Sequence, residues 1–263
     1  MPITIATWNV NSVRLRMPLI EKLVAENKID VLCLQETKVA DEKFPHGPLE
    51  ALGFMHRAIY GQKGYHGVAT LSRLPLDEIH SKVFTPEDGA RHIGVTVAGI
   101  EVHNFYVPAG GDEADTSKNP KFAHKLNYLT EMAAWGNGAI VKKPRVIVGD
   151  LNIAPLPEDV WSHKKLLKVV SHTPIEVEHL DQVQTAGSYV DVVRASKPTP
   201  EVLYSWWSYR SRDWQASNRG RRLDHIWTSP ELAGAVSEVE ILTHVRGWER
   251  PSDHVPILAR FDL

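Results

Sequence analysis

Four apolar, strand-like segments of this 263-residue chain end in side chains able to do chemistry. ATWN ends in Asn9, VLCLQE in Glu36, NFY in Tyr106, and VIVGDLN in Asp150 and Asn152. Each alone has a plain structural reading: the asparagines as turn formers, Glu36 as a helix cap, Tyr106 as a core ring with a wet tip, Asp150 as a loop starter. Recurrence at four strand ends changes that reading. Groups just beyond buried strands project from a rigid sheet edge into the crevice formed by the loops, where open α/β structures place ligands. The set is oxygen-rich, and the thirteen histidines lack any C-x-x-C or H-E-x-x-H companion. That donor chemistry suits Mg²⁺, which keeps several waters and takes one or two carboxylates plus a substrate phosphate.

PSDHVP, at residues 251–256, sets Asp253 beside His254 in an apolar stretch. Burying unpaired charge costs on the order of several kcal/mol, so the pair is either an exposed turn or part of a polar site with partners elsewhere. A site histidine needs a carboxylate to fix its ring and tautomer. In an extended chain Asp253 points away from His254, which leaves Asp224 of RRLDHIW as the stronger orienting acid and Asp253 free for the metal side. No G-x-x-x-x-G-K-[ST], G-x-S-x-G or G-x-G-x-x-G motif offers another chemistry.

The elements that must position these groups read as strand, helix, strand at the start: ITIATWNVN, the amphipathic MPLIEKLVAENK, then DVLCLQET. Strands follow in GVATLSR, HIGVTVAG and IEVHNFYVP, a helix in KFAHKLNYLTEMAAWG, a fully apolar strand in RVIVGDLN and a helix in PIEVEHLDQVQTA. LDHIWTS, AVSEVEIL and HVPILARFDL complete the strands. Strands in hairpin-like series beside helices predict two mixed sheets packed face to face with helices outside, in one domain over residues 1–263.

Hydrophobic residues are 43% and charged residues 24%, as in an ordinary globular enzyme, which excludes disordered and membrane classes. The lone Cys33 lies in an apolar run and reads as a buried thiol. No leader pattern opens the chain and no stretch approaches eighteen apolar residues, so an intracellular, non-membrane protein is expected. A net charge of -2 opposes whole-surface attraction to polyanions, but basic clusters at 142–143, 164–168 and 218–222 can each touch phosphates or simply face solvent.

TWNVNSVR, CLQETK, GQKGYHGVATLS, NFYVPAGG, VGDLNIAP, SWWSYR, NRGRRLDHIW and PSDHVP together resemble the exonuclease III family of DNA-repair nucleases, within the endonuclease/exonuclease/phosphatase superfamily, nearly end to end. The resemblance implies a four-layer α/β/β/α sandwich with one Mg²⁺ site, for which Mn²⁺ would substitute. It implies Glu36 as metal ligand with Asn9 beside it and Asp253 in the outer shell. Asp150 would orient and deprotonate the attacking water with Asn152. His254, paired with Asp224, would bind the scissile phosphate, and Tyr106 would steady the transition state or the departing 3′-oxygen.

For the nucleic acid it implies contacts from Lys38, Tyr65, Trp206, Trp207, Arg221, Arg222 and Leu223, with Trp206 and Leu223 walling a pocket for a flipped, baseless sugar. The implied substrate is duplex DNA with abasic sites or blocked 3′ ends, cut to a 5′-phosphate and a 3′-hydroxyl by a cytoplasmic, nucleoid-associated monomer. Ala109, Arg221 and Asn11 depart from the family pattern. Two other readings remain: a superfamily phosphatase acting on an inositol or lipid phosphate, and a non-catalytic binding module.

Overall fold

The computed structural model describes residues 2–87, 89–138, 144–211 and 213–263, so the Lys-Lys pair at 142–143 lies outside the described residues. The first part of the chain forms β1 (Pro2–Asn9), α1 (Val13–Glu26), β2 (Val31–Gln35), α2 (His46–Ala51), β3 (His56–Tyr60), β4 (Val68–Ser72) and β5 (Asp77–His80). The middle forms β6 (His92–Val97), β7 (Ile100–Tyr106), α3 (Pro120–Gly138), β8 (Arg145–Asp150), α4 (His163–Leu166) and α5 (Pro174–Ala186). After these come β9 (Val190–Asp191), α6 (Val192–Ser196), β10 (Trp206–Trp207), α7 (Trp214–Ser217), β11 (Gly220–Arg221) and β12 (Asp224–Thr228). The chain closes with α8 (Pro230–Ala233), β13 (Val236–Ile241) and β14 (Ile257–Asp262).

Two six-stranded sheets result, ordered β13-β14-β1-β2-β4-β3 and β5-β6-β7-β8-β12-β9, with β10-β11 as a separate ribbon. Both are mixed: β1 is parallel to β2 and antiparallel to β14, and β7 is parallel to β8 while β12 runs against it.

Strand periodicity explains the layers. In β1, Ile3 and Ile5 face the other sheet while Ala6 and Trp8 face α1. In β8, Val146 and Val148 face inward and Ile147 packs outward on α3 and α5. With both faces covered, these strands read as unbroken apolar runs rather than alternating ones. Each fully buried Leu or Ile adds about 1.5–3 kcal/mol. The expected α/β/β/α sandwich is therefore the fold, with Gln35 Nε2 donating to Asn104 Oδ1 at 2.7 Å as a polar pin between the sheets.

Some boundaries differ from expectation. Helix α1 starts at Val13, four residues before the expected Met17, because Val13, Met17, Ile20 and Leu23 share one buried stripe. Strands β3 and β5 went unforeseen: they are sheet edges, half-buried and exposed respectively, and carry no sustained apolar pattern.

Candidate active site

The register puts the chemistry in a row. Tyr106, Asp150 and Asp224 are paired neighbours across β7, β8 and β12. From the other sheet Asn9 ends β1 opposite Gln35, and Glu36 follows Gln35. Glu36 and Asn152 leave their strands with φ of 51° and 55°, left-handed turns that swing each side chain out of the pleat. Gly149 is obligatory before Asp150: its φ is 137°, and a Cβ there would stand 1.9 Å from the Phe105 carbonyl oxygen.

One amide joins the two sheets. Asn9 Nδ2 donates at 2.9 Å to Glu36 Oε1 and at 2.9 Å to Asp150 Oδ2. Asn152 donates its backbone N–H to Asp150 Oδ1 at 2.9 Å and its Nδ2 to Asp150 Oδ2 at 3.0 Å. Its Nδ2 also reaches the Val107 carbonyl, which leaves Oδ1 for the cleft. Asn9 and Asn152 thus meet at the Asp150 carboxylate, Glu36 joins them through the Asn9 amide, and Tyr106 lies beside Asp150 in the sheet register.

His254 stands between two acids. Its Nδ1 lies 2.8 Å from Asp224 Oδ2, and its Nε2 faces Asp150 Oδ2 at 3.7 Å. The ring is held by backbone bonds too: its carbonyl accepts from Trp8 Nε1, and its N–H donates to Ser252 Oγ. Ser205 Oγ donates to Asp224 Oδ2 at 2.7 Å. The sequence argument that Asp253 and His254 point to opposite faces does not hold, because the chain bends at Asp253 and both residues border one cleft. The choice of Asp224 as partner stands on the 2.8 Å contact.

Electrostatics follow from burial among these charges. Burial alone would lower His254, but Asp224 and Asp150 outweigh it and raise its pKa to about 10. Burial pushes Asp150 up to about 7, a rise that His254 opposes and Asp224 supports. Burial also pushes Glu36 upward, yet Lys38 and the Asn9 amide win and hold it below the usual carboxylate range. Burial, Glu36 and Asp150 together raise Tyr106 well above an ordinary phenol, so it stays a proton donor.

The cleft above this row holds about 830 Å³ and is bordered by Glu36, Tyr106, Asn152, Trp206, Leu223 and His254. Trp206 donates Nε1 to Asp253 Oδ2 at 3.0 Å, and the Arg221 guanidinium lies over its ring at 5.1 Å. Tyr65 is exposed, and Lys38 Nζ contacts Glu36 Oε2 at 2.7 Å and Asn11 Oδ1 at 2.6 Å.

Two expected nucleic-acid contacts are corrected. Arg222 is 1% exposed and spends its guanidinium on Asp159 and Asp191, so it ties loop to strand and cannot reach a phosphate. Trp207 points away from the cleft into the core, with Nε1 bonded to Asn218 Oδ1, as alternation along β10 requires once Trp206 faces outward. Ser205 was not foreseen; Asn11, named only as a departure from the family pattern, donates to Asp253, and Arg219 of the 218–222 cluster stacks on Trp161. Asn11 was readable as the second Asn of NVNS, two residues past a strand-end Asn.

A model of the endonuclease/exonuclease/phosphatase family matches residues 6–254, the span from within β1 to the site histidine. The chain belongs to that family. Among relatives of this family, the exodeoxyribonuclease III of Haemophilus influenzae is 34% identical over 97% of this chain and 98% of its own. The exodeoxyribonuclease of Bacillus subtilis is 31% identical over 95% of this chain and 96% of its own. Two solved structures superpose closely: an AP endonuclease from Archaeoglobus fulgidus, with TM-score 0.92, and the 3′ phosphatase NExo from Neisseria bound to product DNA hairpin, with TM-score 0.91. Each is 34% identical and covers 99% of this chain and all of its own.

The site of this family member fits a divalent cation. Asp150, Asp224 and His254 offer ligand atoms within 4.8 Å of one another, a candidate metal centre among the described residues. Asp224 Oδ2 and His254 Nδ1 already bond each other, so an ion between them would have to displace that bond. Asp224 Oδ1 is buried with no hydrogen-bond partner among the described residues. The oxygen-rich chemistry of the donor set suits a hard cation, and the carboxylates of Glu36, Asp150, Asp224 and Asp253 outnumber the cations Lys38 and His254.

Proposed function

We propose that this protein is a Mg²⁺-dependent DNA-repair nuclease, an AP endonuclease and 3′–5′ exodeoxyribonuclease that cuts phosphodiesters by in-line attack of water. One observation carries the reading: His254, paired with Asp224 at 2.8 Å through Nδ1, faces the buried carboxylate of Asp150 at 3.7 Å through Nε2. One group donates to a phosphate oxygen while the other accepts a proton from water.

Glu36, with Asn9 beside it and Asp253 behind, would hold the cation, Mg²⁺ with Mn²⁺ as substitute. When bound, the cation supplies positive charge beside the non-bridging phosphate oxygens. Asp150 takes a proton from the attacking water, and two donors from Asn152 and one from Asn9 keep its carboxylate aimed. His254 donates from Nε2 to the oxygen that gains charge, where a buried donor is worth most. Tyr106 passes its hydroxyl proton toward the departing 3′-oxygen. The P–O3′ bond breaks as the water oxygen bonds phosphorus, leaving a 5′-phosphate and a 3′-hydroxyl.

Trp206, Leu223 and Arg221 border the cleft where a strand would lie, which supports DNA with abasic sites or blocked 3′ ends as substrate. No helix among the described residues is long and apolar enough to cross a membrane. A labelled abasic duplex incubated with Mg²⁺, beside a soluble inositol phosphate, tests the reading: incision of the duplex alone is expected. Phosphate release from the inositol substrate with the duplex left intact would replace this reading with a superfamily phosphatase.

A further inference from the structure

Lys125 of α3 is fully buried and belongs to no group discussed above. Its three ammonium protons meet three acceptors: Glu176 Oε1 at 2.6 Å, the Asn152 carbonyl at 2.8 Å and the Ala109 carbonyl at 3.3 Å. Glu176, equally buried, begins α5 in a capping box with Thr173. Its carboxylate accepts from the backbone N–H groups of Ser171 and Thr173 and from the Thr173 hydroxyl. One ion pair thus gathers the loop after β7, the turn after β8 and the segment entering α5.

These segments are the two sides of the cleft. Asn152 is bonded at its N–H, its side-chain amide and its carbonyl, and the last bond is the one from Lys125. Ser171 is bonded to Ala154 N through its carbonyl and to Arg221 Nη1 through its hydroxyl, and Arg221 in turn stacks on Trp206. An apolar pair of the same volume would fill the space as well, and buried ion pairs seldom add net stability over such a replacement. A replacement could not bond the Asn152 carbonyl.

We propose that Lys125, held by Glu176, is a positioning residue for the reaction: it fixes the Asn152 turn that aims Asp150 and locks that turn to the Ser171–Arg221 wall of the cleft. The proposal rests on the nuclease reading for its kinetic part only.

The test compares wild type, Lys125→Met, Glu176→Gln and the double variant Lys125→Met/Glu176→Gln, all well below their melting temperatures. Lys125→Met leaves a buried carboxylate without its cation and lowers Tm; the double variant removes both charges, keeps an amide oxygen for the Ser171 and Thr173 donors, and recovers most of it. The expected kinetic result is that kcat on the abasic duplex stays about 100-fold down in the double variant, with KM within about threefold of wild type, as misplacement of an aiming group predicts. The substrate-free result is amide hydrogen exchange: protection at Asn152 falls about tenfold in the double variant while α3 and α5 regain theirs. A double variant that recovers kcat together with Tm, or keeps Asn152 protection at the wild-type level, overturns the proposal. A wild type that cuts no DNA would sink the nuclease reading and leave the exchange experiment to decide this one.

Discussion

His254 Nδ1 is 2.8 Å from Asp224 Oδ2, and both groups are buried, so the ring is tied to one acid and its Nε2 is turned toward the cleft. Its pKa, raised to about 10, is a property of the pair. Asp224→Asn removes the nearest carboxylate and should lower it, read from the His254 ring signals by NMR titration. The folded protein holds this proton more tightly than the unfolded chain, so the stabilisation is complete below about pH 6.5 and disappears as pH rises through about 10. Between pH 7 and 10, urea stability should therefore fall more steeply in wild type than in Asp224→Asn. Equal slopes would deny the linkage.

Asp150 sits at the meeting point of Asn9, Asn152 and His254, which supports the proposed role of proton acceptor. Asp150→Asn keeps the shape and removes the basicity. Cleavage should drop by about 10²–10⁴-fold while duplex affinity, measured by anisotropy, changes by less than about threefold. Parallel loss of binding and cleavage would assign the residue to folding instead.

Legibility of the site followed burial. Asn9, Glu36, Tyr106, Asp150 and Asn152 were readable because each interrupts a long apolar run, and the sheet register gathers them in one place. Asp224 was readable because a buried histidine needs an acid and an extended chain would aim Asp253 away; the chain bends there instead, yet the partner is Asp224. Arg222 and Trp207 could not be sorted from Arg221 and Trp206 by composition. Alternation in a two-residue strand decides which of each pair meets the cleft, and the buried acids Asp159 and Asp191 that claim Arg222 lie 63 and 31 residues away. Edge strands β3 and β5 lacked the two-sided burial that marked the others.

Glu36 is held below the usual carboxylate range by Lys38 and Asn9 against the cost of its burial. Glu36→Gln should raise the Mg²⁺ concentration for half-maximal cleavage at least about tenfold, in line with losing a charged oxygen ligand. Chelator should abolish wild-type cleavage and added Mn²⁺ restore it. An unchanged Mg²⁺ requirement in Glu36→Gln would move the cation to the Asp150, Asp224 and His254 group.

Adjacent arginines provide an internal contrast. Arg222→Ala strands Asp159 and Asp191 in the core and should cost about 3–5 kcal/mol of stability, with the salt dependence of DNA affinity unaltered. Arg221→Ala loosens the Trp206 wall and should reduce the salt slope by about one phosphate contact at nearly full stability. Chemical denaturation and anisotropy at several salt concentrations separate the two. The reverse pattern would mean that the pair is misassigned.

In the proposed reaction, water deprotonated at Asp150 bonds to phosphorus and expels the 3′-oxygen. Incision of an abasic duplex in H₂¹⁸O, with fragments analysed by mass spectrometry, tests it most directly. One ¹⁸O on the new 5′-phosphate and none on the 3′-hydroxyl is the predicted outcome. Fragments free of label, with an unsaturated sugar at the 3′ end, would mean elimination at the sugar and contradict the account.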